Sequence, residues 1–259
     1  MPYVETREQK LFYTSAKGPD GGPDLVLIHG AGGSRLHWPA QLRRMEGATV
    51  YSLDLPGHGR SQGPGRETIE GYASSVVDFL GRVGIVSPAV AGHSMGGAVA
   101  QQLALAEPAR VAALVLVGTG AKLRVAPAIL EGMRKDFDGA VELITDYAWS
   151  PSTDPKLKAM GRKALKETGA GVLYGDFQAC DRFDVTGRVD EITVPTLVVV
   201  GSEDRLTPVK YSRFLAERIP GADLVVVDGA GHMVMLEQPH EVGDVVRRFV
   251  MQKTLLNVA

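Results

Sequence analysis

Short apolar runs rich in β-branched residues, several closed by glycine, recur at Leu25–His29, Thr49–Leu53, Ala89–Gly92, Ala112–Gly118, Thr196–Gly201 and Leu224–Asp228. Each has the length and composition of a strand. Between them lie longer stretches with apolar residues at helical spacing, at Leu36–Met45, Ile69–Val83, Met95–Glu107, Val209–Arg218 and His240–Met251. Strands that are apolar on both faces and alternate with helices predict a parallel sheet covered on each side. Tyr3–Thr14 alternates polar with apolar positions and suits an antiparallel hairpin at the sheet edge.

The alternation breaks between Gly120 and Val194. This stretch gives four helical segments, Ala128–Phe137, Ala140–Ala148, Pro155–Lys166 and Val172–Phe183, with no strand between them. In open parallel sheets ligands bind beyond the carboxyl ends of the strands, so an excursion leaving one such end and returning to the next would roof the site. Residues 1–120 and 195–259 are read as the α/β core, and 121–194 as a helical cap.

Composition narrows the function. With 28 Lys+Arg against 30 Asp+Glu in 259 residues, the net charge of −2 offers no field for nucleic acid or an anionic membrane. The longest aliphatic run, Val111–Val117, is far short of the roughly 20 residues a membrane-crossing helix needs. Cys180 has no second thiol to pair with, which fits a reducing compartment and makes cytoplasm the expected location. The stretch from Met1 to Lys10 carries Glu5, Arg7, Glu8 and Lys10 where a secretory signal would be apolar. The expected partner is a small molecule, with the chain a monomer or homodimer.

Gly92-His93-Ser94-Met95-Gly96 is a G-x-S-x-G placed where a strand ends and a helix begins. A nucleophilic serine at that sharp turn is strained, and the flanking glycines avoid a Cβ collision with neighbouring backbone. The pentapeptide alone arises by chance in roughly one chain of this length in ten, so context supplies the specificity. A neutral serine also needs a base and a carboxylate to orient that base. His232 follows Leu224–Asp228 and Asp204 follows the Thr196–Gly201 run, both on loops at strand carboxyl ends; Glu203 and Asp228 are rival acids by proximity. The order Ser, Asp, His is that of one serine-hydrolase architecture. An oxyanion needs two backbone N–H groups: Met95, next after the serine at a helix N-terminus, and Ala31 or Gly32 in His29-Gly30-Ala31-Gly32-Gly33-Ser34.

Taken together, His29-Gly30-Ala31-Gly32-Gly33-Ser34 with Trp38, Asp54-Leu55-Pro56-Gly57-His58-Gly59-Arg60-Ser61, Gly92 to Gly97, Gly201-Ser202-Glu203-Asp204 with Pro208, and Gly229-Ala230-Gly231-His232 resemble the α/β-hydrolase fold superfamily. The resemblance spans nearly the whole chain and is to serine-nucleophile, carboxylesterase-like members with a cap. It implies an eight-stranded, mostly parallel sheet with helices on both faces, a helical cap inserted after the sixth strand, no cofactor, and a triad of Ser94, His232 and Asp204. The spacing of Asp204 to Pro208 matches the family's pattern and favours Asp204 over its rivals. Asp54 resembles the family's structural carboxylate, which bonds backbone N–H groups.

A serine nucleophile sets aside activities that need an aspartate at that turn. The remaining expectation is hydrolysis of small to medium acyl esters, in a pocket drawn from Gly30, Gly32, His93, Leu123, Trp149, Leu206 and Met233, with Met133 a further candidate. One alternative is an enol-lactonase or C–C bond hydrolase gripping a substrate carboxylate with Arg124, Arg134 or Arg182. Another is a non-catalytic ligand receptor on the same fold. The six histidines show no metal-ligand spacing, so no metal is expected.

Overall fold

Side-chain alternation along the central strands decides the layering. In the computed structural model of the chain, Leu25 and Leu27 join the apolar cluster on one face of the sheet and Val26 and Ile28 that on the other, all four fully buried. A strand buried on both faces has no position for a polar side chain, which is why these runs read as continuous rather than alternating. The structure describes residues 3–255. Met1 and Pro2 of the polar opening stretch, and 256–259 of the predicted core, lie outside them.

The strands are β1 (Tyr3–Glu5), β2 (Lys10–Ala16), β3 (Asp24–Ile28), β4 (Thr49–Leu53), β5 (Ala89–His93), β6 (Ala113–Val117), β7 (Thr196–Gly201) and β8 (Asp223–Val227). They form one eight-stranded sheet in the order β1-β2-β4-β3-β5-β6-β7-β8. β1 and β2, and β2 and β4, pair antiparallel, while every later pair is parallel. The N-terminal hairpin thus lies at the edge.

The helices are α1 (Ala40–Arg43), α2 (Ile69–Val83), α3 (Met95–Ala106), α4 (Pro127–Lys135), α5 (Phe137–Ala148), α6 (Pro155–Thr168), α7 (Ala170–Arg182), α8 (Val209–Arg218), α9 (Val234–Glu237) and α10 (Pro239–Leu255). α2, α3 and α8 bring Val76, Phe79, Leu103 and Leu215 against one face of the sheet. α1 and α10 bring Leu42, Val242, Val246 and Val250 against the other. Thr68 caps the start of α2 by accepting the Gly71 N–H, and Gly84 ends it in the left-handed conformation at φ 81°. Among the described residues no helix is long and apolar enough to cross a membrane.

The predicted helix Leu36–Met45 is not continuous. A single 3₁₀ turn, Arg35–His37, is followed by Pro39 and then by the four-residue α1. Proline at position 39 has no N–H to donate to the preceding turn, so the helix restarts after it.

Helices α4 to α7 form the cap between β6 and β7. Its neck is closed by an antiparallel bridge of Lys122 with Asp184, whose side chains also form an ion pair. The flanking bonds are Val185 N–H to Ala121 O at 2.8 Å and Leu123 N–H to Phe183 O at 3.4 Å. The cap has its own apolar cluster of Ile129, Met133, Val141, Ile144, Leu165 and Leu173, which positions α5, α6 and α7 above the carboxyl ends of the strands.

Candidate active site

Ser94 ends β5 and begins α3 at φ 53°, ψ −117°, and is the one non-glycine residue with positive φ among those described. Such a conformation costs on the order of 1–3 kcal/mol and persists only where the surroundings enforce it. The enforcement is visible. The Ser94 N–H donates to Val117 O at 2.9 Å, and Thr119 Oγ1–H donates to Ser94 O at 2.8 Å. A Cβ on Gly92 would lie 2.1 Å from Gly96 O, and one on Gly96 would lie 2.3 Å from Ile28 O. Only hydrogen fits at either position, so the strand and helix approach closely and lift the serine above the sheet.

Asp204 and His232 sit on the loops after β7 and β8. These loops meet because Gly201 has no Cβ, which would otherwise lie 2.1 Å from Ala230 O. Asp204 Oδ1 accepts the N–H groups of Leu206 at 2.9 Å and Thr207 at 2.7 Å. Its Oδ2 accepts the Thr207 hydroxyl at 2.8 Å and faces His232 Nδ1 at 2.9 Å. A carboxylate fixed by three other donors holds the imidazole as the Nδ1–H tautomer and leaves Nε2 free to accept a proton. Glu203 instead accepts the Ser150 hydroxyl at 2.6 Å, and Asp228 pairs with Ser202 at 3.2 Å. His93 donates Nε2–H to the His232 carbonyl at 3.0 Å, which fixes the loop from below. Burial, then the neighbouring His232, holds the His93 pKa well below the ordinary histidine value.

The glycine-rich loop after β3 runs beside the serine. A Cβ on Gly30 would lie 3.1 Å from Ser94 Cβ, so glycine permits the approach. The Gly30 carbonyl is held by His29 Nδ1–H at 2.8 Å and the Gly33 N–H at 3.1 Å. His29 Nε2 accepts the Leu55 N–H at 3.0 Å, and burial together with nearby His58 keeps this ring neutral by pushing its pKa well down. The Gly32 N–H donates to Asp176 Oδ2 at 2.8 Å and is therefore committed elsewhere. Of the two candidates in this loop, Ala31 remains. Asp54 accepts the N–H groups of Arg35 at 2.7 Å and Arg60 at 3.0 Å, as a buried loop-fixing carboxylate.

Ala31, His93, Ser94, Trp149, Leu206, His232 and Met233 line one cavity of about 60 Å³ beneath the cap. Leu123 does not reach it. The cap neck fixes its backbone, and its side chain packs into the core cluster on the α3 face instead. Gly30 backs the serine, Gly32 opens on an adjoining cleft with Gly57 and Thr168, and Met133 packs inside the cap. The cavity also receives His37, Ile144 and Phe177, which no motif in the cap or the Arg35–His37 turn marks. Burial, then His58, lowers the His37 pKa to about 4.

None of Arg124, Arg134 and Arg182 lines the cavity. Arg124 borders a separate groove with Tyr211, Arg134 lies over the Tyr174 ring, and Arg182 reaches the Glu67 carbonyl. Among the described residues no group of histidine, cysteine and carboxylate side chains could hold a metal ion. Cys180 is buried in the core cluster, and burial raises its thiol pKa.

Known proteins share this arrangement of elements. A solved thermophilic esterase superposes with a TM-score of 0.86 at 36% identity over 96% of both chains. A solved enol-lactonase from Burkholderia xenovorans LB400 superposes with a TM-score of 0.88 at 25% identity, over 96% of this chain and 99% of that one. The dihydrolipoyllysine-residue acetyltransferase component of the acetoin cleaving system of Pseudomonas putida is 32% identical over 256 residues, covering 90% of this chain. The chain spans 65% of that relative's length. A model of the alpha/beta hydrolase family matches residues 25–245, and the chain belongs to that family.

Proposed function

We propose that the protein is a serine hydrolase that cleaves carboxylic esters with small acyl groups. The observation that carries the reading is the His232–Asp204 bond of 2.9 Å, on the same cavity as the strained Ser94. His232 Nε2 takes the hydroxyl proton as Ser94 Oγ attacks the ester carbonyl carbon, and the C=O electron pair moves onto oxygen. The Ala31 and Met95 N–H groups stabilise that oxyanion, each such donor contributing about 10²–10³ in kcat. The intermediate collapses, the C–O bond to the alcohol breaks, and His232 returns the proton to the leaving alkoxide. Water then repeats the sequence on the acyl-Ser94 and releases the acid.

Cavity size and lining support a neutral, small acyl group. About 60 Å³ between Ile144, Trp149 and Phe177 suits a few carbons, and the lining contributes no lysine or arginine to hold a substrate carboxylate. This lining favours an ester over the alternative of an enol-lactonase or C–C bond hydrolase that grips a substrate carboxylate. A fluorophosphonate probe should label the wild type at Ser94 and leave Ser94→Ala unlabelled, with labelling in His232→Ala slowed at least a hundredfold. Failure of the wild type to label would reject the reading in favour of a receptor on the same fold.

A further inference from the structure

Gly32 is held by the cap at both of its backbone polar groups. Asp176 of α7 accepts its N–H at 2.8 Å, and Thr168 at the end of α6 donates its hydroxyl to its carbonyl at 2.8 Å. Leu165 and Leu173 close on it from the same two helices, at 2.7 and 2.5 Å from where a Cβ would be. The residue has φ +63°, so glycine is needed both for the conformation and for the contact.

Asp176 is itself immobilised. It is fully buried, its Oδ2 also accepts from His58 Nε2 at 2.8 Å, and its Oδ1 accepts the Tyr72 hydroxyl. His58 donates its other ring nitrogen to Pro56 O at 2.8 Å, so both nitrogens face oxygen, an arrangement that favours the protonated ring. Burial alone would lower the His58 pKa, but the Asp176 carboxylate and its hydrogen bond outweigh that and the net shift is upward. A buried pair of this kind adds little net stability over an apolar pair of equal volume. What it adds here is a fixed acceptor, brought 144 residues along the chain to a single N–H.

The consequence falls on Ala31. Its N–H shares a peptide plane with the Gly30 carbonyl, which His29 and Gly33 hold, and the next plane carries the Gly32 N–H that Asp176 holds. With both planes pinned, the Ala31 φ and ψ have no freedom left. We propose that the cap assembles the oxyanion hole, with Asp176 as its positioning residue and Thr168 as its second anchor. This rests on the reading of Ser94 as an ester-cleaving nucleophile. Phe177, the neighbour of Asp176 on α7, lines the acyl cavity, so the acyl seat and the oxyanion donor are set by one helix.

The test compares wild type, Ser94→Ala, Asp176→Asn, Thr168→Val and the core variant Val76→Ala for kcat and KM on p-nitrophenyl acetate. Affinity for a trifluoromethyl ketone, whose serine adduct carries an oxyanion, and Tm are measured alongside. Asp176→Asn should lose about 10–10² in kcat, and Thr168→Val about tenfold, with KM within twofold and ketone affinity falling in parallel with kcat. Val76→Ala, in α2 and fully buried, should lower Tm alone. Should Asp176→Asn fail to fold, Thr168→Val, whose hydroxyl is only half-buried, carries the comparison. Wild-type kcat and ketone affinity in Thr168→Val and any folded Asp176→Asn, with only Tm reduced, would overturn the proposal. Absence of Ser94-dependent turnover in the wild type would instead overturn the reading of the site, and this proposal with it.

Discussion

His232 Nδ1 lies 2.9 Å from Asp204 Oδ2, across 28 residues of chain, and the Thr207 hydroxyl sits against both at 2.8 Å from Oδ2 and 3.1 Å from Nδ1. The carboxylate is thereby an acceptor whose orientation does not depend on the histidine. Asp204→Asn removes the charge that stabilises the imidazolium and offers an amide that can favour the wrong tautomer. It should reduce kcat about 10³–10⁴-fold while KM changes little, as read from initial rates on a short-chain ester. Thr207→Val should cost far less, because the two backbone donors to Oδ1 remain.

The glycines around the nucleophile should be intolerant for a backbone reason. Gly92→Ala and Gly96→Ala place a methyl 2.1 and 2.3 Å from carbonyl oxygens that cannot swing aside. Both should abolish soluble folded protein, or lower Tm by more than 10 °C. Gly171→Ala, in helix α7 with open space around its Cα, should instead stabilise by about 0.4–1 kcal/mol, and thermal melts separate the two cases.

The acyl cavity is small because Ile144 and Trp149 of the cap reach down to it. Ile144→Ala should shift the ratio of kcat/KM for hexanoate over acetate upward about 10–200-fold, the range a methylene or two is worth in an apolar pocket. It should also destabilise by about 2–5 kcal/mol, since Ile144 belongs to the cap's own core. An unchanged ratio would place the acyl chain elsewhere.

Stability should fall on mild acidification. The folded protein holds His37 at a pKa of about 4 against an ordinary value of 6.5. The unfolded chain therefore binds this proton first as pH drops below 6.5, and stability is lost progressively down to pH 4 and no further below it. His29 and His93, also lowered, act in the same sense. His58 acts in the opposite one: its pKa is raised, so its contribution is complete below pH 6.5 and is lost as pH rises through the raised value. In thermal melts, His37→Gln should show a smaller loss of Tm than wild type between pH 6.5 and 4.

Much of this fold is legible because its strands are buried on both faces. A run such as Ala89 to Gly92 has no polar position, so it reads as a central strand without any knowledge of its neighbours. The residues Ser94, Asp204 and His232 are legible for a related reason: each must sit where an apolar run stops, and the stop is marked by glycine. Pro39 is the local signal for the broken helix after β3, and the apolar spacing around it masks the break. Other features have no local signature. The cap's register over the cavity is set by packing among α4 to α7, so Ile144 reaches the cavity with no motif to mark it, while Leu123, expected there, packs from the neck into the core. Asp176 and His58 are 118 residues apart, and neither sequence neighbourhood indicates that a buried charge awaits the other.

The most direct test is the initial rate of wild type and Ser94→Ala on p-nitrophenyl esters from acetate to palmitate, in one buffer near neutral pH. The account predicts turnover that depends on Ser94, peaks at two to four acyl carbons on the order of the roughly 60 Å³ available, and falls steeply thereafter. Absence of Ser94-dependent turnover on every ester, or a maximum at long chains, would contradict it.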